Sequence, residues 1–154
     1  MMIRRALKED IPTILDLLLQ VNLVHHEGRP DIFNVGTKYT KEQLEELIKE
    51  DLNPIFVAEE DGQVLGYAFC QTQQHIGDNI LTDIKSLYID DLCVDEKARG
   101  KHLGTKLLDY VKSFAKENGY YNVTLNVWAC NESAMKFYEK SGFECLKLGM
   151  EMKM

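Results

Sequence analysis

The sequence predicts a single-domain α/β fold (an α+β mixed sheet), in which one central sheet is flanked by about four helices. Its length of 154 residues fits one globular domain, and a hydrophobic content of 45% is enough to build a core. Apolar residues change from helical spacing to strand-like runs several times along the chain, without a linker or an internal repeat. We therefore expect residues 1–154 to form one domain.

The first part of the chain predicts a strand over residues 3–6 and a helix over about residues 9–24. Apolar positions recur at mainly helical spacing in that helix, and Pro12 falls in its first turn, where proline is tolerated. A capping box at residues 40–43 begins a second helix. Residues 25–39 between the helices lack periodicity, so they form either a substrate-side loop or an ordinary surface loop.

The remaining elements are mainly strands, followed by alternating helices and strands. Asp61-Gly62 predicts a hairpin turn between strands at residues 55–58 and 64–70. The elements predicted after this hairpin are a strand, a helix, a strand, a helix and a final strand, over residues 86–94, 103–116, 123–128, 131–140 and from 143 onward.

Composition excludes several classes of function. A net charge of −7 argues against non-specific nucleic-acid binding, and no stretch approaches the roughly 18 uncharged apolar residues of a membrane span. The N-terminus lacks the apolar core of a signal peptide, so we expect a cytoplasmic protein. The cysteines and histidines lack metal-ligand spacing, so we expect reduced thiols and no metal.

A glycine-bearing turn with basic side chains joins the strand at residues 86–94 to the next helix. The turn reads Arg99-Gly100-Lys101-His102-Leu103-Gly104-Thr105. Backbone N–H groups at a helix start, together with the positive end of the helix dipole, bind phosphate, and glycine lets a ligand approach closely. The alternative is a solvated helix start. Neither G-x-x-x-x-G-K-[ST] nor a G-x-G-x-x-G after the first strand is present.

Two motifs resemble the GNAT acetyltransferase family. The first is Leu92-x-Val94-x(4)-Arg99-Gly100-x-x-Leu103-Gly104-Thr105, and the second is N-x-x-A-x-x-x-Y-x-x-x-G-F, which begins at Asn131. The resemblance is close over residues 84–146 and rests on element order elsewhere. It implies a GNAT-like fold, acetyl-coenzyme A as co-substrate, N-acetyltransferase activity and a homodimer.

The resemblance also implies where the cofactor binds. Its pyrophosphate is expected on the turn formed by Arg99, Gly100, Lys101, His102, Leu103, Gly104 and Thr105, and its pantetheine arm along Leu92, Cys93 and Val94. Asn131 matches a position that contacts the arm, although a helix N-cap explains it equally well. His102 stands where the family usually has glycine, and we expect it to keep a negative φ.

Two residues are predicted to be catalytic. Tyr138 matches the family's general acid, with a core aromatic as the alternative. The strand from Tyr88 to Val94 resembles that of diamine and thialysine acetyltransferases, whose glutamate would fall on Asp90. This carboxylate is expected to deprotonate the acceptor, directly or through water; a solvated strand end is the alternative. Strand alternation predicts Asp90 and Leu92 on one face of the sheet, with Asp91 on the other.

The acceptor implied by the resemblance is a primary amine of a small molecule, with polyamines, diamines, amino acids and aminoglycosides all open. Direct attack on a thioester needs no protein nucleophile, so Cys93 is interpreted as a strand residue. Asn126 replaces a glutamate that ribosomal-protein N-terminal acetyltransferases often carry, which disfavours protein N-termini. A protein lysine or N-terminal acetyltransferase and a non-catalytic coenzyme A sensor are the alternatives.

Overall fold

The computed structural model describes all residues from 1 to 154, as five strands and four α-helices. In chain order the elements are β1 (Met2–Arg5), α1 (Ile11–Gly28), α2 (Lys41–Leu47), β2 (Ile55–Glu60), β3 (Gln63–Gln73), β4 (Ser86–Val94), α3 (Leu103–Glu117), β5 (Asn122–Leu125) and α4 (Glu132–Lys140). The α/β class predicted from the sequence is confirmed. None of the helices combines the length and apolar character that crossing a membrane requires.

The strands form one mixed sheet in the order β1-β2-β3-β4-β5. The first four strands pair antiparallel, and β5 pairs parallel to β4. The predicted hairpin between β2 and β3 is confirmed, because Asp61 and Gly62 both adopt positive φ, of 51° and 77°. Two consecutive residues with positive φ give the turn a twist that matches the flanking strands.

Each face of the sheet is covered by helices. On one face, Ile14, Leu17 and Leu18 of α1 are at most 1% exposed and belong to a core cluster that includes Tyr67 and Phe69 of β3. The other face packs against α3, with α4 at its edge, and its buried residues include Leu87, Leu107, Leu108 and Val111. The sheet therefore separates an α1/α2 face from an α3/α4 face.

Several boundaries differ from the sequence prediction: β2 and β3 continue to Glu60 and Gln73, and the ends of α1 and β5 also change. Helix α1 continues to Gly28, so the predicted loop at 25–39 begins later, at Arg29. The extra turn is held by tertiary contacts: the His25 ring stacks on Phe33 at 5.0 Å, and His26 Nδ1 lies 2.6 Å from the Phe33 carbonyl oxygen. Strand β5 ends at Leu125 rather than at residue 128.

The predicted final strand from residue 143 onward is wrong for the isolated chain. Residues 143–154 belong to no helix or strand, and beyond Phe143 no backbone group in this segment forms a backbone hydrogen bond. Alternating side chains mark a segment that can form a strand, but a strand also needs a neighbouring edge. Within this chain no edge pairs with it.

Candidate active site

An open edge in the middle of the sheet defines the site. Residues Ser86 to Ile89 of β4 pair with β5, but β5 ends at Leu125 and gives residues 90–94 no neighbour on that side. The same stretch remains paired with β3 on its other side. A strand held on one side and free on the other offers its backbone groups to an extended ligand.

A bulge in β4 lies at the start of this open stretch. Phe69 pairs with Asp91 while Cys70 pairs with Ile89, so Asp90 is an extra residue in β4. A β-bulge of this kind changes the direction in which the following side chains point. As a result, Leu92 packs with the α3/α4 face, as Ile89 does before the bulge.

The bulge corrects the predicted facing of the two aspartates. Asp90 bonds to Tyr39 and Asp91 to Tyr67, and both tyrosines pack with the α1/α2 face. Asp90 and Leu92 were expected on one face with Asp91 opposite, and this expectation is wrong. Both carboxylates instead lie on the side of the sheet that α1 and α2 cover.

Asp90 is already held by two partners. Lys38 Nζ lies 2.9 Å from its Oδ1 and 3.2 Å from its backbone oxygen, and the Tyr39 hydroxyl donates to its Oδ2 at 2.5 Å. Tyr39 stacks on Phe69 with ring centroids 5.5 Å apart, which fixes its position. The Asp90 side chain is only 10% exposed, so its interpretation as a solvated strand end is wrong.

Asp91 is the carboxylate with the perturbed protonation equilibrium. Burial raises its pKa to about 6, although the Tyr67 hydroxyl, 2.8 Å from its Oδ2, and the charge of Lys38 both favour the ionised form. The nearby charge of Asp90 raises the pKa further. A carboxylate that titrates near neutral pH is suited to accept a proton during catalysis.

Tyr138 lies on the opposite side of the open edge, on α4. Its ring is half-buried between Phe137 and Phe143, at centroid distances of 5.1 and 5.6 Å. Burial and then the charge of Asp91 raise the pKa of its hydroxyl, which therefore stays protonated at neutral pH. No side-chain hydrogen bond of the chain involves this hydroxyl, which leaves it available to donate a proton to a ligand.

Asn131 forms the cap of α4, as the sequence predicted. Its Oδ1 accepts a hydrogen bond from the Ala134 backbone N–H at 3.3 Å. This bond orients the first turn of the helix that carries Tyr138. The structural role of Asn131 is therefore shown, and contact with a cofactor arm stays a prediction.

The turn before α3 has two residues with positive φ. Gly100 has φ of 91°, and His102 has φ of 58° in the left-handed region. The predicted negative φ for His102 is wrong, because the chain makes a left-handed turn at this residue, immediately before α3 begins. The His102 side chain makes no capping hydrogen bond, so it does not satisfy the N–H groups that begin α3.

Packing places this turn next to the open edge of β4. Leu103 is 3% exposed and anchors the start of α3 in the core. Gly104 lies under α4: a Cβ atom added there would be 3.4 Å from Cζ of Phe137 and 3.8 Å from Cγ2 of Val94. Arg99, Lys101 and Thr105 remain exposed around it. The uncapped helix start, the end of β4 and α4 thus meet at one place.

Cys93 behaves as a structural residue, as predicted. It is 7% exposed, and its Sγ donates to the Leu17 carbonyl oxygen at 3.6 Å. Burial, and after it the charge of Asp91, raise the pKa of this thiol to about 12. A thiol that stays protonated at neutral pH is a poor nucleophile.

Sequence reasoning missed four residues of the site. They are Asp91, which with Asp90 forms the acidic pair of the site, and the three residues that hydrogen-bond to this pair, namely Lys38, Tyr39 and Tyr67. Lys38 and Tyr39 end the segment that was predicted to be either a substrate-side or a surface loop, and the structure places this end against Asp90. The adjacent Asp90-Asp91 pair was a visible signal, but only pairing with β3 reveals the bulge that turns both side chains the same way.

Comparisons with known proteins place the chain in a family. Residues 21–143 match the model of the acetyltransferase (GNAT) family. An uncharacterized N-acetyltransferase of Methanocaldococcus jannaschii is 28% identical over 145 residues, which cover 92% of this chain but 60% of that protein. One of Archaeoglobus fulgidus is 30% identical over 138 residues, which cover 90% of this chain and 89% of that one.

A solved structure shows the same fold over the whole chain. The tetramutant of the BH1408 protein from Bacillus halodurans is similar with a TM-score of 0.95 and 28% identity, and the match covers 100% of both chains. The chain thus matches one relative's fold over its full length, but spans less than two thirds of the Methanocaldococcus protein.

Proposed function

Because the chain belongs to the acetyltransferase (GNAT) family, we propose that it transfers an acetyl group from acetyl-coenzyme A to a primary amine of a small molecule. One observation carries the acceptor side of this proposal. The ammonium of Lys38 lies on Asp90, beside Asp91, at the bulge where the open edge begins. A site that already holds one alkyl ammonium of the chain has the chemistry to hold that of an acceptor.

The residues around the open edge of β4 are suited to bind coenzyme A. The pyrophosphate of coenzyme A would meet the uncapped start of α3, with Arg99 and Lys101 exposed beside it. The pantetheine arm would run along residues 92–94, which have no strand neighbour on that side. When bound, acetyl-coenzyme A supplies an acetyl thioester that an amine can attack.

The acidic pair divides two tasks in this proposal. An alkyl ammonium has a pKa near 10.4 and must lose a proton before it attacks. Asp90 is held by Lys38 and Tyr39, so it is better placed to bind a cation than to move a proton. Asp91, with a pKa of about 6, accepts the proton directly or through a water molecule. This assigns the role of base to Asp91 rather than to Asp90.

The remaining chemistry falls to α4 and to the edge of β4. Backbone N–H groups on this open edge stabilise negative charge that develops on the carbonyl oxygen. Tyr138, whose hydroxyl stays protonated, donates its proton to the departing thiolate. The acetyl group passes directly from the thioester to the amine without an acyl-enzyme intermediate, which agrees with the buried and inert Cys93.

The test is a panel of primary amines assayed for release of free thiol from acetyl-coenzyme A. The proposal predicts turnover with small cationic amines, and the Tyr138→Phe variant as the matched control should lose most of it. Turnover only with peptides that carry lysine or a free N-terminus would favour a protein acetyltransferase. Binding of coenzyme A without turnover of any amine would favour a sensor.

A further inference from the structure

Lys38 brings a primary amine of the chain itself to the start of the open edge of β4. Its Nζ lies 2.9 Å from Oδ1 of Asp90 and 3.2 Å from the backbone oxygen of the same residue. The Lys38 side chain is 43% exposed, so the amine is held at the site without being buried. The other lysines that form ion pairs do so with glutamates or aspartates elsewhere on the surface. Lys38 is therefore the one lysine that lies where the ammonium of an acceptor is expected.

The Lys38 amine is also within reach of the stretch along which the pantetheine arm is expected. Asp90 precedes Leu92 by two residues, a distance of roughly 7 Å along a strand. Lys38 carries its amine on a flexible stem of four carbons and lies in residues 29–40, which belong to no helix or strand. Rotation about the bonds of this stem moves Nζ from Asp90 towards the open edge, at the cost of one ion pair.

The groups that would activate an external amine serve the Lys38 amine equally. An alkyl ammonium must lose a proton before it can attack a thioester. Asp91, next to the residue that holds Lys38, is suited to accept that proton because burial raises its pKa to about 6. The charge of Lys38 acts on the pKa of Asp91 as well, so the two groups are close enough to interact.

We propose that Lys38 is a self-acetylation site, an inference that rests on the proposed function: its amine takes the acetyl group of acetyl-coenzyme A bound to the same chain. The Lys38 nitrogen forms an amide bond with the acetyl carbonyl carbon, and the bond between that carbon and the sulfur of coenzyme A breaks. The nitrogen loses two protons. Asp91 accepts one and passes it to solvent, and the other replaces the proton that Tyr138 donates to the departing thiolate. The products are acetyl-lysine and free coenzyme A.

Acetylation of Lys38 changes the charge of the acceptor site. It removes the positive charge of the lysine, and with it the ion pair to Asp90. The hydroxyl of Tyr39 then remains as the side-chain partner of Asp90. The carboxylate no longer pairs with a cation of its own chain, and it is free to pair with the ammonium of an external acceptor.

The first test incubates the full chain with acetyl-coenzyme A alone and locates acetyl groups by intact mass and peptide mapping. The wild type should gain one acetyl group, at Lys38, at a rate independent of protein concentration because the reaction is intramolecular. Lys38→Arg should gain none, and Lys41→Arg, which changes an exposed lysine at the start of α2, should behave as the wild type. An unmodified wild type overturns the proposal. Acetyl groups spread over several lysines, or undiminished acetylation of Lys38 in the folded Asp91→Asn variant, indicate non-enzymatic modification and also overturn it.

The second test separates this proposal from the proposed function by adding a linear alkyl diamine and following thiol release in the same reaction. A diamine that is turned over should slow acetylation of Lys38, by about tenfold at about ten times its dissociation constant, because both amines need one site. Turnover of the diamine while Lys38 stays unmodified overturns self-acetylation and leaves the proposed function intact. Turnover that does not slow acetylation of Lys38 shows that Lys38 reacts outside the acceptor site, and it overturns the proposal as well.

Discussion

Replacing Asp91 by asparagine is the perturbation with the clearest opposing effects on stability and activity. Burial raises the pKa of Asp91 from an ordinary 3.8 to about 6, a rise of about two units. One pKa unit corresponds to about 1.4 kcal/mol, so above pH 6 the ionised Asp91 lowers the free energy of unfolding by about 3 kcal/mol. Asparagine removes the charge but still accepts the hydrogen bond from Tyr67, so Asp91→Asn should be more stable at neutral pH by up to that amount.

The direction of the pH dependence follows from proton linkage. The folded protein binds the Asp91 proton more tightly than the unfolded chain does, so between pH 4 and pH 6 the stability of the wild type falls as pH rises. The variant lacks this group and does not share the fall. The difference in stability should therefore be close to zero below pH 4 and reach its full value above pH 6.

The assay is denaturant unfolding of wild type and variant at several pH values between 4 and 8. Asp90→Asn is the matched control: it weakens the ion pair with Lys38 and should not stabilise the protein. In parallel, the kcat of Asp91→Asn should fall on the order of 10²–10⁴-fold, as for loss of a general base. A variant that is destabilised equally at all pH values, or one that keeps full activity, would refute this role of Asp91.

Other variants test the remaining parts of the site. Tyr138→Phe should lower kcat on the order of 10²–10⁴-fold and leave the dissociation constant of coenzyme A unchanged; an unaltered kcat would leave Tyr138 only a packing role. Arg99→Glu should weaken coenzyme A binding in calorimetry much more than pantetheine binding, and equal losses would remove the turn from phosphate binding. Lys38→Met should shift the acidic limb of the pH–rate profile to higher pH, because the charge of Lys38 lowers the pKa of Asp91. His102→Gly should raise the free energy of unfolding by up to about 1 kcal/mol, since it relieves a left-handed φ; a loss in denaturant unfolding would contradict this.

Local sequence patterns predicted most of the fold. The hairpin at Asp61-Gly62, the cap at Asn131 and the apolar stripe of α3 each depend on residues close together in the chain, and each is confirmed. The end of α1 was not predictable from such patterns, because contacts with Phe33 hold its last turn.

The site was predicted less completely because its geometry depends on pairing between distant strands. Asp90 and Tyr138 were predicted by motif position, but Lys38 and Tyr39, which contact Asp90, approach from a loop about fifty residues away. Asp91 was set aside by strict alternation, which the bulge opposite Phe69 breaks. The final strand predicted from residue 143 onward was wrong, because a local pattern does not supply the neighbouring edge that a strand needs.

The most direct test of the central proposal is the rate of thiol release from acetyl-coenzyme A with acceptors that differ only in charge. A linear diamine is compared with a monoamine of the same length, and the acetylated product is identified by mass spectrometry. The proposal predicts acetylation of the small amine itself, a higher kcat/KM for the diamine because Asp90 and Asp91 both face it, and loss of turnover in Asp91→Asn. Acetyl groups found only on protein lysines, or equal rates for both amines with Asp91→Asn fully active, would contradict it.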